Sequence, residues 1–238
     1  MPDHAAIVIT PVKNSLETFL HSARAVAASD VNVQHIIFDD FSDRATLEAL
    51  QHYQTSIGYE LVQLSQLTSN PSPNYNLVLE IAQQRALSER LPLIIVESDV
   101  IIKKDTFSSM LHALHARPFT GMIGAVTIDQ QGVINFPYVK FSKLDGDIVK
   151  TDRSLSFCCT LLTYNLLTSI DFRKLDPGKN WYDVYISRKS IEAGFENYIM
   201  LQTSVYHKPH SSRSWKHLKY TNPIKYYFLK YWKGLDRI

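Results

Sequence analysis

The chain has 238 residues, 45% of them hydrophobic and 20% charged, with a net charge of +2. This composition excludes a disordered or fibrous protein and fits one large α/β domain with appendages, long enough to bury a substantial core. No apolar run is long enough to cross a bilayer, and the start MPDHAAIVITP lacks the basic stretch and long apolar middle of a secretory signal, so residence in the cytoplasm is expected. The charge is unevenly spread. From Ser204 onward eight cations (Lys208, Arg213, Lys216, Lys219, Lys225, Lys230, Lys233 and Arg237) face one acid, Asp236, which leaves the tail at +7 and the body at −5. An anionic partner is expected for such a tail: phosphate, a membrane surface or nucleic acid.

In chain order, AAIVIT at 5–10 predicts a first strand closed by Pro11, and Ser15 then caps a helix in which Leu16, Phe19, Leu20 and Ala23 recur at helical spacing. VQHIIF at 33–38 predicts a second strand that ends in DDFSD, with a helix through Leu47 and Leu50 behind it. Residues 59–64 predict a third strand and 75–87 a helix leading into the central run LIIVESDVII at 93–102. Three β-α units in series predict a mainly parallel sheet with right-handed crossovers. The carboxyl ends of such strands form the ligand crevice, so Asp39, Asp40, Glu97 and Asp99 are expected at it. One residue separates Glu97 from Asp99, which would place both side chains on one side of an extended backbone, suited to a divalent cation or a ribose diol.

Beyond this run the pattern changes. A helix is expected at 105–114, then strands at 121–128 and 133–138 flanking a DQQG hairpin turn, a polar loop at 142–154 and a strand at 157–163. Cys158 and Cys159 read as two reduced core thiols pointing to opposite faces of that strand. A helix over 182–192 stops at Gly194, and a last strand covers 198–206. In the tail, Asn222 and Pro223 start a helix whose Ile224, Tyr227, Phe228, Tyr231 and Leu235 share a face opposite Lys225, Lys230 and Lys233. Such a helix can lie in a membrane interface or dock on the protein's own body; no nucleic-acid recognition motif accompanies its charge.

VITPVKN at 8–14, DDFSD at 39–43, ESD at 97–99, WYDVYISRKSIEAGF at 181–195 and HKPHSSR at 207–213, taken in order, resemble the family 2 glycosyltransferases. These are inverting enzymes of the GT-A fold that use nucleotide-diphosphate sugars, and the resemblance is greatest to their rhamnosyltransferase-like branch. It implies a GT-A domain at 1–215, of the mixed, mainly parallel α/β class flanked by helices, with a basic aromatic C-terminal helix at 216–238. It also implies that Pro11, Lys13, Asp39, Asp40 and Glu97 contact the donor, with Lys208 and Arg213 near its phosphates. Asp99 and His207 would hold a divalent cation, Mn²⁺ or Mg²⁺, His210 being the alternative to His207, and Asp183 would be the catalytic base. The acceptor would be a saccharide or a lipid-linked precursor of a cell-surface polysaccharide, contacted by the loop at 142–154. Glu97 and Tyr182 stand where the family has other acids, which keeps open the alternative of a non-catalytic sugar-nucleotide-binding or scaffolding subunit. A sugar-phosphate nucleotidyltransferase would begin with a glycine-rich loop where this chain has TPVKN.

Overall fold

The structure is a computed structural model that describes residues 4–178, 181–208, 218 and 222–232. The expectations placed on His210, Arg213, Lys216, Lys219, Lys233, Leu235, Asp236 and Arg237 lie outside the described residues. The first half alternates strand and helix: β1 (Ile7–Val12), α1 (Leu16–Ala27), β2 (Gln34–Asp39), α2 (Arg44–Ile57), β3 (Glu60–Gln63), α3 (Tyr75–Glu89) and β4 (Leu93–Val96). There follow β5 (Val100–Ile101), α4 (Thr106–His115), β6 (Thr120–Ile128), β7 (Ile148–Lys150), β8 (Cys159–Leu162), α5 (Tyr164–Ser169), α6 (Tyr182–Glu192), β9 (Glu196–His207) and α7 (Pro223–Trp232).

These strands form one sheet in the order β3-β2-β1-β4-β8-β6-β9-β5, with β7 also paired to β9. The parallel pairings β1–β2, β2–β3, β1–β4 and β6–β9, joined through antiparallel β8, set β1, β2, β3, β4, β6 and β9 in one direction. Strand alternation then builds two cores. Ile7, Ile9, Leu93 and Ile95 meet Val78, Leu79 and Ala82 of α3 on one face, while Ala6, Val8, Ile94 and Val96 meet Phe107 and Met110 of α4 on the other. A sheet covered on both faces explains the uninterrupted apolar strands.

Four local expectations need correction. Residues 97–99 do not extend the central strand, because Val100 N donates to Glu97 O at 3.0 Å and the chain turns there. The reason is topological: β4 lies mid-sheet, whereas β5 pairs with β9 at the edge, with β8, β6 and β9 between the two, so the chain must leave the line of β4. The DQQG turn closes, with Asp129 N donating to Val133 O at 2.9 Å, but its second arm is a single bridge, Ile128 to Ile134, before the chain coils into a 3₁₀ turn at Tyr138–Phe141. The polar segment at 142–154 contributes β7, an added strand on β9. Pro11 lies inside β1, not beyond it: it is paired with Phe38, and the side of β1 facing β4 is unpaired after Ile9, so its missing N–H costs no ladder bond.

Candidate active site

The six strands of common direction bring their carboxyl ends to one rim, and β8, running the other way, begins there. After β1 and β2 the rim is stitched by polar side chains. Asp43 N donates to Asn14 Oδ1 at 2.7 Å and Asn14 N to Ser42 Oγ at 3.2 Å, so the two loops form one surface. Lys13 is exposed and Pro11 half-buried beside it, while buried Asp39 accepts from Ser42 N at 3.2 Å. Asp40 accepts three hydrogen bonds, from Ser72 Oγ at 2.7 Å, Asn74 N at 2.9 Å and Asn74 Nδ2 at 2.9 Å. It therefore fixes the segment that starts α3.

A second group gathers where β4, β8 and β9 meet the rim. Glu97 N donates to Cys158 O at 3.0 Å, and the Cys158 thiol approaches Glu97 Oε2 at 3.5 Å. The turn that carries Glu97 and Asp99 is anchored on α1, where Ser15 Oγ donates to Ser98 Oγ at 3.0 Å. That contact replaces the helix cap expected of Ser15, which makes no side-chain capping bond. His207, at the end of β9, donates from Nδ1 to Phe136 O at 2.7 Å, since a carbonyl only accepts. Its Nε2 is thereby aimed at Asp99, 3.4 Å from Oδ2, and both residues are buried. Lys208 follows: its N–H donates to Asp99 O at 3.0 Å and its Nζ pairs with Glu17 of α1 at 3.0 Å. That ion pair is exposed, so it holds the cation only weakly.

Asp183 lies in the first turn of α6. The helix is seated by Gly121, where an added Cβ would come within 2.1 Å of Ser190 Oγ, and by Asn197, which donates to Ser187 O at 2.9 Å. Three rings, Tyr182, Tyr75 and Phe157, stack in series at 6.2 Å and tie the starts of α6 and α3 to the approach to β8. Tyr182, where the family has an acid, also donates to Asp176 O at 2.9 Å.

The charges interact strongly. Burial raises the Glu97 carboxyl, and Asp99 and Asp183 push it further, with His207 pulling the other way. Burial alone would depress His207, but its hydrogen bond to Asp99 and the charges of Asp99 and Glu97 outweigh that, and its imidazole is raised above the ordinary value. Burial, then Glu97 and Asp99, holds the Cys158 thiol well above its usual range. Two ligand atoms 3.4 Å apart, oxygen from Asp99 and nitrogen from His207, with the far ring nitrogen already hydrogen-bonded, fit a shared divalent cation. Like charges crowded beside them favour the same occupant.

The reading of two reduced core thiols holds for both, which are free and pack in one core layer with Val96 and Phe107. Both are buried, yet Cys158 faces the acids because antiparallel β8 starts where β4 ends, with Val96 opposite Cys159. No sequence signal gives that register. Asn74 was equally unforeseen as the partner of Asp40.

The family model "Glycosyl transferase family 2" matches residues 7–167, and the chain belongs to that family. Its fold is the GT-A fold of that family. No curated protein sequence matches it. Among solved structures it is similar to S. aureus TarS 1–349 at 17% identity, with a TM-score of 0.66 over 85% of this chain and 60% of that one. TarS 1–349 in complex with UDP-GlcNAc has a TM-score of 0.66 at 16% identity, over 87% of this chain and 60% of that one. The mannosyltransferase PcManGT from Pyrobaculum calidifontis, in complex with GDP-Man and Mn²⁺, has a TM-score of 0.66 at 13% identity, over 94% of this chain and 63% of that one. The chain thus spans about three fifths of the length of these proteins.

Proposed function

We propose that the chain moves a sugar, with inversion, from a nucleotide-diphosphate donor to a hydroxyl of a saccharide or lipid-linked acceptor in cell-surface polysaccharide biosynthesis. The observation that carries the reading is the Asp99–His207 pair, its nitrogen and oxygen 3.4 Å apart at the rim of a family 2 fold. Asp99 and His207 would hold Mn²⁺ or Mg²⁺, the imidazole favouring Mn²⁺. When bound, the cation offsets charge on the departing diphosphate. Pro11, Lys13, Asp39 and Asp40 form the nucleotide end of the site, Glu97 lies near the ribose, and Lys208 with Arg213 adds positive charge beside the phosphates. Asp183 accepts the proton of the acceptor hydroxyl as its oxygen attacks the anomeric carbon. The bond to the diphosphate breaks on the opposite face, so configuration inverts.

A thermal-shift screen of nucleoside diphosphates with and without Mn²⁺ tests donor binding, because a ligand that binds only the folded state raises its apparent stability. A shift for one nucleotide, larger with Mn²⁺, is expected, together with slow donor hydrolysis that Asp99→Ala abolishes. Binding without hydrolysis or transfer under any divalent cation would establish the scaffolding subunit instead.

The C-terminal helix is assigned to an anionic membrane surface. Among the described residues no helix is long and apolar enough to span a bilayer. On α7, Tyr226 is buried whereas Ile224, Tyr227, Phe228 and Tyr231 are 85%, 51%, 57% and 84% exposed, which supports an outward-facing role for this aromatic face. Salt-sensitive cosedimentation with phosphatidylserine vesicles is expected, and its absence would remove the membrane role.

A further inference from the structure

We propose that Glu97, Cys158 and His207 form a Zn²⁺ site that shares His207 with the cation position of the transfer reaction, so that zinc arrests the enzyme. The inhibition rests on the proposed function; the binding does not. One carboxylate oxygen, one sulfur and one ring nitrogen from these residues lie within 4.8 Å of one another. Cys158 Sγ and Glu97 Oε2 are 3.5 Å apart. On one tetrahedral zinc, with Zn–S about 2.3 Å and Zn–O about 2.1 Å, sulfur and oxygen stand about 3.6 Å apart.

The three donors are also held in place. Glu97 and Cys158 are joined through their backbones where β4 and β8 meet the rim, and Phe136 O fixes the His207 ring with Nε2 facing inward. Sulfur changes the metal preference of the site. Asp99 with His207 offers oxygen and nitrogen, a set suited to a hard cation, whereas Cys158 with Glu97 and His207 offers a thiol, a carboxylate and an imidazole. First-row affinities rise from Mn²⁺ toward Zn²⁺, and a thiolate widens that gap. The step is an exchange without redox: Zn²⁺ forms bonds to Cys158 sulfur, Glu97 oxygen and His207 Nε2, the S–H bond and any Nε2–H or carboxyl O–H bond break, and each proton leaves to solvent. A zinc ion that takes His207 denies it to the other cation.

The test uses the full chain with Co²⁺ as the spectroscopic substitute for Zn²⁺, under reducing conditions. A near-ultraviolet sulfur-to-cobalt charge-transfer band is expected. It should be lost in Cys158→Ser, kept in Cys159→Ala and displaced by Zn²⁺, whose affinity should fall at least about tenfold in Cys158→Ser. Far-ultraviolet circular dichroism verifies the fold of each variant. No band, or a band that survives Cys158→Ser, overturns the site. Zn²⁺ should also suppress Mn²⁺-supported donor turnover in the unsubstituted chain at concentrations that spare Cys158→Ser; equal suppression of both overturns the inhibition. The spectrum needs no donor, so a chain that binds cobalt through sulfur yet turns over no donor upholds the site and refutes the transfer reaction.

Discussion

Along one rim of the sheet, the loops after β1 and β2 hold carboxylates whose hydrogen bonds are met by neighbouring backbone and side chains, whereas those after β4 and β9 press carboxylates together around an imidazole and a thiol. Asp40 accepts from Ser72 and Asn74, and Asp39 from Ser42. Glu97 instead feels burial and the charges of Asp99 and Asp183, all of which oppose its ionisation. The first region is a finished shape, the second a concentration of charge that a cation would relieve. A glycosyltransferase needs both: a rigid cradle for the invariant part of its donor and an electrostatically loaded centre where charge shifts as the glycosidic bond breaks.

The contrast breaks most visibly at the loaded centre. Asp99→Ala is expected to cut metal-supported donor turnover on the order of a thousandfold, read as kcat/KM in an Mn²⁺ titration. Asp183→Asn should lower kcat by roughly a hundredfold to ten-thousandfold while leaving the donor's KM near its original value, since a general base acts only as the acceptor attacks. A loss expressed mainly in KM would move Asp183 out of the reaction and into donor binding.

The finished region should respond through stability. Asp40→Ala leaves the Asn74 amide groups and the Ser72 hydroxyl without their acceptor, at a cost of about 3 kcal/mol in chemical denaturation. It should also weaken nucleotide binding, because the segment that starts α3 loses its anchor. An Asp40→Ala chain with unchanged stability would show that this carboxylate is held for the ligand alone.

How much of this was legible follows the same division. The first four strands, α1, α2 and α3 are local patterns, short apolar runs and helices of period 3.6, and each polar strand end marked the rim. DDFSD therefore pointed to the rim. The antiparallel register of β8 against β4 is non-local, so Cys158 could not be distinguished from Cys159. Nor could residues 97–99 be recognised as a turn without knowing that the next strand pairs at the sheet's far edge. His207 was legible only through its place in a family pattern, because what orients its ring is a carbonyl 71 residues away in sequence.

Beneath the finished region, His35 offers a further measure. It is buried on β2 with Nε2 3.0 Å from Thr10 Oγ1, and burial depresses its imidazole to about 3. The folded value lies below that of the unfolded chain, about 6.5, so the unfolded state takes the proton first. Stability from this group is complete above pH 6.5 and declines as pH falls toward 3. At pH 5 the loss is about 2 kcal/mol, and His35→Gln should flatten that limb of the denaturation profile.

The smallest effect carries the opposite sign. Glu97→Gln keeps the shape of the side chain but removes one of the crowded charges, so at neutral pH in chelator the melting temperature should rise, by about 2 °C for a chain of this size. The sign follows from the raised carboxyl: protonated Glu97 suits the folded state, its ionised form does not, and the penalty grows as pH rises through the folded value. Added Mn²⁺ should reverse the ranking, because the ion stabilises the chain that retains the charge more than the one that has lost it. A gain that persists unchanged with Mn²⁺ would mean that Glu97 lies outside the cation's influence.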